Sequence, residues 1–297
     1  MEEFKQGIKM KYIYSILSFA VITTFSCNNH GNFADNKDNS NKVFYNIDTA
    51  IYNLPFVQKL SCNISSQSDV SKLASSLSDF IHLNYLEILF NGNVTFDFEI
   101  LFKAIQKNKS IKILKIEAGN NSLSSIILNN SNIEELLINT NQEFSIDSNI
   151  NDAASLKFLT IRASQLHLVS SIQNLDSIIQ IDFSNCNMTS ISENLNNLNL
   201  SSLVLDNNNI SEIPTFFATM KNLKFVSLQN NKINNLSNSI CNLKNLKEIR
   251  LYNNPLSYRP VHSRINKFNQ KAYSLECLPN CEFLFSKVAE SSCGGIK

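Results

Sequence analysis

Asparagine is the residue type whose spacing could do chemistry in this chain. Asn208, Asn231 and Asn254 stand 23 residues apart, each inside the same phrase: LSSLVLDNNNISEI, LKFVSLQNNKINNL and LKEIRLYNNPL. A primary amide carries two N–H donors and a carbonyl acceptor, so a regularly spaced series can satisfy backbone groups that a turning chain leaves unpaired. That is hydrogen-bond chemistry, with no bond made or broken.

Reactive chemistry finds little to stand on. The four histidines, His30, His82, His167 and His262, are scattered, and none pairs with another at metal-ligand spacing. With six glycines there is no GxGxxG, no P-loop and no GxSxG elbow. His167 lies near Ser164 and Ser170, but its alternation with Leu166 and Leu168 places it on the outside of a coil. Of seven cysteines, Cys62, Cys186 and Cys241 read as small buried apolar residues. Cys277, Cys281 and Cys293 gather near the C-terminus, where one disulfide among them is open in an oxidising compartment. The CLPNC stretch has a three-residue gap, which fits neither a CxxC redox pair nor half a zinc site. Neither a metal nor a cofactor is expected, and an enzyme is the least supported class.

The elements that hold the asparagines follow from the residues ahead of them. Leu203 and Leu205, Val226 and Leu228, Ile249 and Leu251 alternate with period two, as in a short strand with one face inward. The same ruler laid backward finds starts at 111, 133, 156, 178, 200, 223 and 246, every step 22 or 23 residues. Cys186 stands where Asn usually stands, while Asn141 and Asn91 occupy the Asn position of earlier units. Two longer units start at Val57 and Leu83. Their arms space Val70, Leu73 and Leu77, then Phe98, Leu101 and Ile105, as helices do. Later arms are short or contain Pro214, so extended chain or a brief 3₁₀ turn is expected there.

The phrases from Leu200 to Leu256 resemble the leucine-rich repeat family, LxxLxLxxNxL. The resemblance implies an α/β solenoid, a horseshoe of about nine coils with a parallel concave sheet. Its convex arms are helical in the N-terminal coils and extended or 3₁₀ later. A coil cannot bury its own apolar face, so both ends need covers. Residues 46–56, with Asn46 as helix N-cap, form the first cover, residues 57–260 the repeats, and residues 261–297 a C-terminal cap.

Residues 1–26 read as a signal peptide: Lys5, Lys9 and Lys11 precede YIYSILSFAVITTF, too short for a membrane span. The ending at Ser26 and Cys27 resembles a bacterial lipoprotein signal, which implies acylation of Cys27 and attachment to the outer membrane, with display at the cell surface as one outcome. Residues 27–45, rich in Asn, Asp and Ser, read as a flexible tether. Without residues 1–26 the chain holds 23 basic and 23 acidic residues, so no basic stripe is left for nucleic acid.

In the resembled family partners commonly bind the concave sheet. On the fifth and seventh positions of each unit, with the third and eighth beside them, this places Tyr85, Leu89, Phe90, Phe158, Arg162, Phe225, Arg250 and Tyr252 as candidate contacts. The expected function is non-enzymatic binding of a protein or peptide by a monomer. An envelope scaffold and a glycan-binding module are the alternatives.

Overall fold

The computed structural model describes residues 42–92, 96–128, 131–147, 150, 153–169, 172, 175–196, 199–236, 238–256, 262–265, 271–275 and 278–284. All of them belong to one compact unit, Asn39–Lys297. The unit begins with a two-residue strand, β1 (Val43–Phe44), and a short helix, α1 (Ile47–Ile51). Asn46 caps that helix, its side-chain oxygen accepting from Asp48 N at 2.8 Å and Thr49 N at 3.3 Å. The strand corrects the boundary expected at residue 45. Phe44 is buried and pairs with Leu60, and two residues are too few to show a period in sequence.

Strand β2 (Lys59–Ile64), helix α2 (Gln67–Ser76), β3 (Tyr85–Phe90), helix α3 (Phe98–Lys107) and β4 (Ile113–Gly119) follow in order. The helices bury the stripes their spacing predicts: Val70 and Leu73 on α2, Leu101 and Ile105 on α3. Ser66 and Asp69 close a reciprocal capping box at the start of α2, which satisfies two of the helix's orphan N–H groups.

From there the described residues of the coils carry strands and short 3₁₀ turns: β5 (Glu135–Thr140), β6 (Glu143–Ile146), β7 (Phe158–Arg162), β8 (Gln165–Leu168), β9 (Gln180–Asp182), β10 (Ser202–Val204), β11 (Phe225–Ser227) and β12 (Glu248–Arg250). Among the 3₁₀ turns are Glu193–Leu195, Thr215–Thr219 and Asn238–Asn242, and Pro214 precedes the second. Ten strands, β1 to β5, β7 and β9 to β12, run parallel in a single sheet. β6 and β8 form a separate parallel pair just past the main sheet, which the period of the repeat did not announce.

Each main strand keeps the same register. Leu60, Leu86, Leu114, Leu136, Leu159, Ile181, Leu203, Val226 and Ile249 lie side by side, and all are fully buried. Burying such a side chain contributes about 1.5–3 kcal/mol, and each row gains this only when a neighbouring coil covers it. The nine coils read from the sequence are therefore one continuous core. The C-terminal segment extends the sheet. Its strands are β13 (His262–Ile265), β14 (Lys271–Leu275) and β15 (Leu278–Leu284). β15 pairs parallel to β12, and β14 and β13 add antiparallel beyond it.

Candidate functional site

The turn that ends each strand is held by amides. Asn208 Nδ2 donates to Phe183 O at 2.8 Å in the preceding coil and to Leu205 O at 3.0 Å in its own, while its Oδ1 accepts from Cys186 N and Met188 N. Asn231 and Asn254 repeat the pattern, donating to Leu205 O and Leu228 O of the coil before and accepting from Ile210 N and Ile233 N. Cys186 supplies the donor half of this pattern, its Sγ donating to Ile161 O at 3.2 Å and Ser184 O at 3.5 Å.

Asn91 and Asn141 play a different part from the buried ladder expected of them. Both are exposed, and their Nδ2 atoms donate to Asn63 Oδ1 at 3.1 Å and Asn120 Oδ1 at 2.9 Å. Strand length is the reason. β3 and β5, which Asn91 and Asn141 follow, have six residues and β4 has seven, where β10, β11 and β12 have three, so the turn comes later. After β4, Asn121 takes the buried place, donating to Ala118 O at 2.7 Å and Phe90 O at 3.4 Å. Sequence reading also passed over the first Asn of each NN pair. Asn207, Asn230 and Asn253 have φ of 56°, 54° and 56°, a left-handed conformation that Asn tolerates better than other residues with a side chain.

On the face opposite the core, the outward residues form three rows across the sheet. One row joins Lys59, Tyr85, Ile113, Glu135, Phe158, Gln180, Ser202, Phe225 and Glu248. The second joins Ser61, Glu87, Lys115, Leu137, Thr160, Asp182, Val204, Ser227 and Arg250, and the third Asn63, Leu89, Glu117, Asn139 and Arg162. Tyr85, Leu89, Phe158, Arg162, Phe225, Arg250 and Tyr252 are all half-buried on this side.

Phe90 is not among them. It is 6% exposed and packs against Phe96 and Phe98 with ring centroids 5.1 Å away in each case. The alternation of β3 turns Phe90 inward with Leu86 and Ile88, so it is a core residue.

Two of the named arginines are engaged within the chain. Arg162 Nη2 lies 2.6 Å from Asp182 Oδ2, with the two side chains only 18% and 15% exposed, and Nη1 donates to Asp182 O at 3.2 Å. β9 stops at Asp182, and Arg162 from the longer neighbouring strand covers the carbonyl at its end. Arg250 Nε donates to Glu248 Oε1 at 2.6 Å, and its guanidinium stands 4.9 Å from the Phe225 ring centroid. Asp206, beside them, accepts from Ser227 Oγ at 2.6 Å, Gln229 N at 2.8 Å and Gln229 Nε2 at 3.0 Å. Burial nevertheless holds its carboxyl above the usual carboxylate range.

Around Tyr85 the balance differs. Burial and the neighbouring Glu87 raise the Tyr85 phenol, so it stays neutral, and Lys115 Nζ stands 5.4 Å from its ring centroid. Ser61 Oγ donates to Glu87 at 2.7 Å. Burial also raises the carboxyl of Glu117, with Asn139 as its hydrogen-bond donor.

The thiols of the core are unreactive. Burial pushes Cys62 up to about 12 and Cys186 up to about 11, so neither is a thiolate at neutral pH. Cys241, expected to be a third buried apolar residue, is half-buried and disulfide-bonded, and its partner lies outside the described residues. Cys281 is buried against the core, while Cys277, Cys293 and Cys27 lie outside the described residues. His167 sits on the exposed side of β8, 3.8 Å from Glu143. Among the described residues no helix is long and apolar enough to cross a membrane, and no three His, Cys, Asp or Glu gather as a metal site would need.

Residues 198–256 match the family described as leucine rich repeat. The fold is similar to that of the TLR13–ssRNA13 complex, at TM-score 0.52 and 18% identity over 71% of this chain. That match spans 32% of the TLR13 chain. Internalin C2 from Listeria monocytogenes aligns at TM-score 0.44 and 19% identity, over 63% of this chain and 84% of its own. No curated protein matches the sequence. The ten parallel strands and the repeat register make this a leucine-rich repeat solenoid of the horseshoe class.

Proposed function

We propose that this protein is a membrane-tethered leucine-rich repeat module that binds a protein or peptide through its concave face and catalyses no reaction. The observation that carries the proposal is the set of three outward rows. They place half-buried aromatic, aliphatic and charged side chains on a backbone fixed by a continuous core and by amide ladders. Preorganised aromatic and Arg groups of this kind are the usual anchors of protein interfaces. Ten strands spaced by about 4.8 Å span roughly 40 Å, enough for a folded domain or a long peptide.

A protein fits this face better than a nucleic acid. Glu87, Glu117, Glu135, Asp182 and Glu248 outnumber Lys59, Lys115, Arg162 and Arg250 on the same rows, and the formal net charge of the whole chain is only +1. The tether is proposed from the sequence ending at Cys27, acylated and anchored in a bacterial outer membrane, with the repeats exported. The disulfide at Cys241 favours an oxidising compartment, in keeping with export.

Two experiments test the parts separately. A photo-crosslinking side chain placed at Tyr85 or Phe225 should capture partners, and one placed at the exposed Ile81 or Ile100, off the concave rows, should not. Capture from Ile81 or Ile100 alone would overturn the concave assignment. For the tether, Cys27→Ala should move the protein from the membrane fraction to the soluble one. An unchanged membrane fraction would overturn acylation as the anchor.

A further inference from the structure

The concave face is not uniform along its length. β2 to β5 are six or seven residues long, whereas β9 to β12 have three. The N-terminal four strands therefore make the broadest part of the outward surface. Beyond them the charged groups are consumed internally: Asp182 by Arg162 and Ser184, Asp206 by Ser227 and Gln229, Glu248 by Arg250.

On the broad part the acids have hydrogen-bond donors, Ser61 for Glu87 and Asn139 for Glu117, but among the described residues no ion-pair partner. β3, β4 and β5 present three carboxylates, Glu87, Glu117 and Glu135, against the single ammonium of Lys115 at their centre, with Lys59 at the rim on β2. Among the described residues neither Glu117 nor Glu135 has an ion-pair partner. Lys115 itself shows what the surface accepts, since its ammonium rests over the Tyr85 ring with acid on both neighbouring strands.

We infer that the platform of β2 to β5 is where the partner is recognised, and that it takes an extended cationic segment of a protein, whose Lys or Arg side chains meet Tyr85 and the carboxylates of Glu117 and Glu135. The inference rests on the concave binding face proposed above and adds the chemistry of the occupant. Leu89 and Ile113 give the aliphatic stems of such side chains an apolar bed, and the acids supply the counter-charge that the chain lacks there.

The test uses the full chain in mild detergent and three fluorescent probes: hexa-arginine, hexaglutamate and a hexa-uridylate RNA. Hexa-arginine should bind and the other two should not, and E117Q/E135Q should weaken it by about tenfold or more. E212Q, an exposed carboxylate off the rows, should leave binding unchanged. Equal affinity for hexa-arginine in E117Q/E135Q, or tighter binding of the RNA, would overturn the inference. Thermal unfolding of each variant separates lost binding from lost fold. If E117Q/E135Q still binds while the peptide crosslinks to Tyr85, recognition through Glu117 and Glu135 is wrong and the concave face stands. If it crosslinks to Ile81 or Ile100 instead, the concave reading fails as well.

Discussion

A single asparagine shows how this chain converts composition into structure. Asn231 is buried, donates to Leu205 O at 2.9 Å and Leu228 O at 3.1 Å, and accepts from Ile210 N at 3.0 Å. Removing it leaves buried carbonyl and N–H groups without partners, so Asn231→Ala should cost about 2–4 kcal/mol in denaturant unfolding. The neighbouring Asn230 is exposed with φ of 54°, a conformation Gly adopts freely, so Asn230→Gly should change stability by less than about 0.5 kcal/mol. The pair separates the two uses of one residue type. Asp206 gives a pH counterpart. Because burial raises its carboxyl in the folded state, its contribution to stability is complete below its unfolded value and is lost as pH rises through the folded one. Asp206→Asn should therefore show a smaller fall in stability between acid and neutral pH than the parent, and an unchanged pH slope would contradict this. The buried roles of Asn208, Asn231 and Asn254 were legible because spacing and chemistry agree. Those of Asn91 and Asn141 were misread because the ruler counts residues and cannot see that a longer strand delays its turn.

At the scale of elements, the helical arms of the first coils and the short arms of the later ones were both readable. Val70, Leu73 and Leu77 repeat at helical spacing, whereas Pro214 and a 22-residue step leave no room for a helix. The β6 and β8 pair was not readable, since four alternating residues just past a turn are too few to announce a strand of their own. Phe90 failed for a related reason. A six-residue strand carries three inward positions where a three-residue strand such as β12 carries one, and the eighth position falls on the last of them. Cys241 belongs to the last convex arm, Asn238–Asn242, and its disulfide ties that arm to another part of the chain. Cys241→Ser should lower stability by about 2–4 kcal/mol under oxidising conditions. Dithiothreitol should lower the melting temperature of the parent and leave that of the variant where it is. Equal melting temperatures for oxidised parent and variant would show that the bond adds nothing.

Across the whole molecule, repetition makes a surface that no single coil possesses. The inward rows commit Leu, Ile and Val to one core, and that regularity frees the outward rows to vary. They vary in a directed way: broad, aromatic and short of positive charge in β2 to β5, then narrow and internally neutralised from Arg162 onward. Most of the candidate face was legible, because alternation assigns a side to every residue of a strand. The saturation of Arg162 and Arg250 was not, because it depends on where neighbouring strands end and which side chains then reach across. Photo-crosslinking from Tyr85 on the concave face, set against Ile100 on the exposed side of α3, tests the central claim most directly. Partner captured from Tyr85 and not from Ile100 is the expected result, and partner captured from Ile100 and not from Tyr85 would contradict a concave binding face.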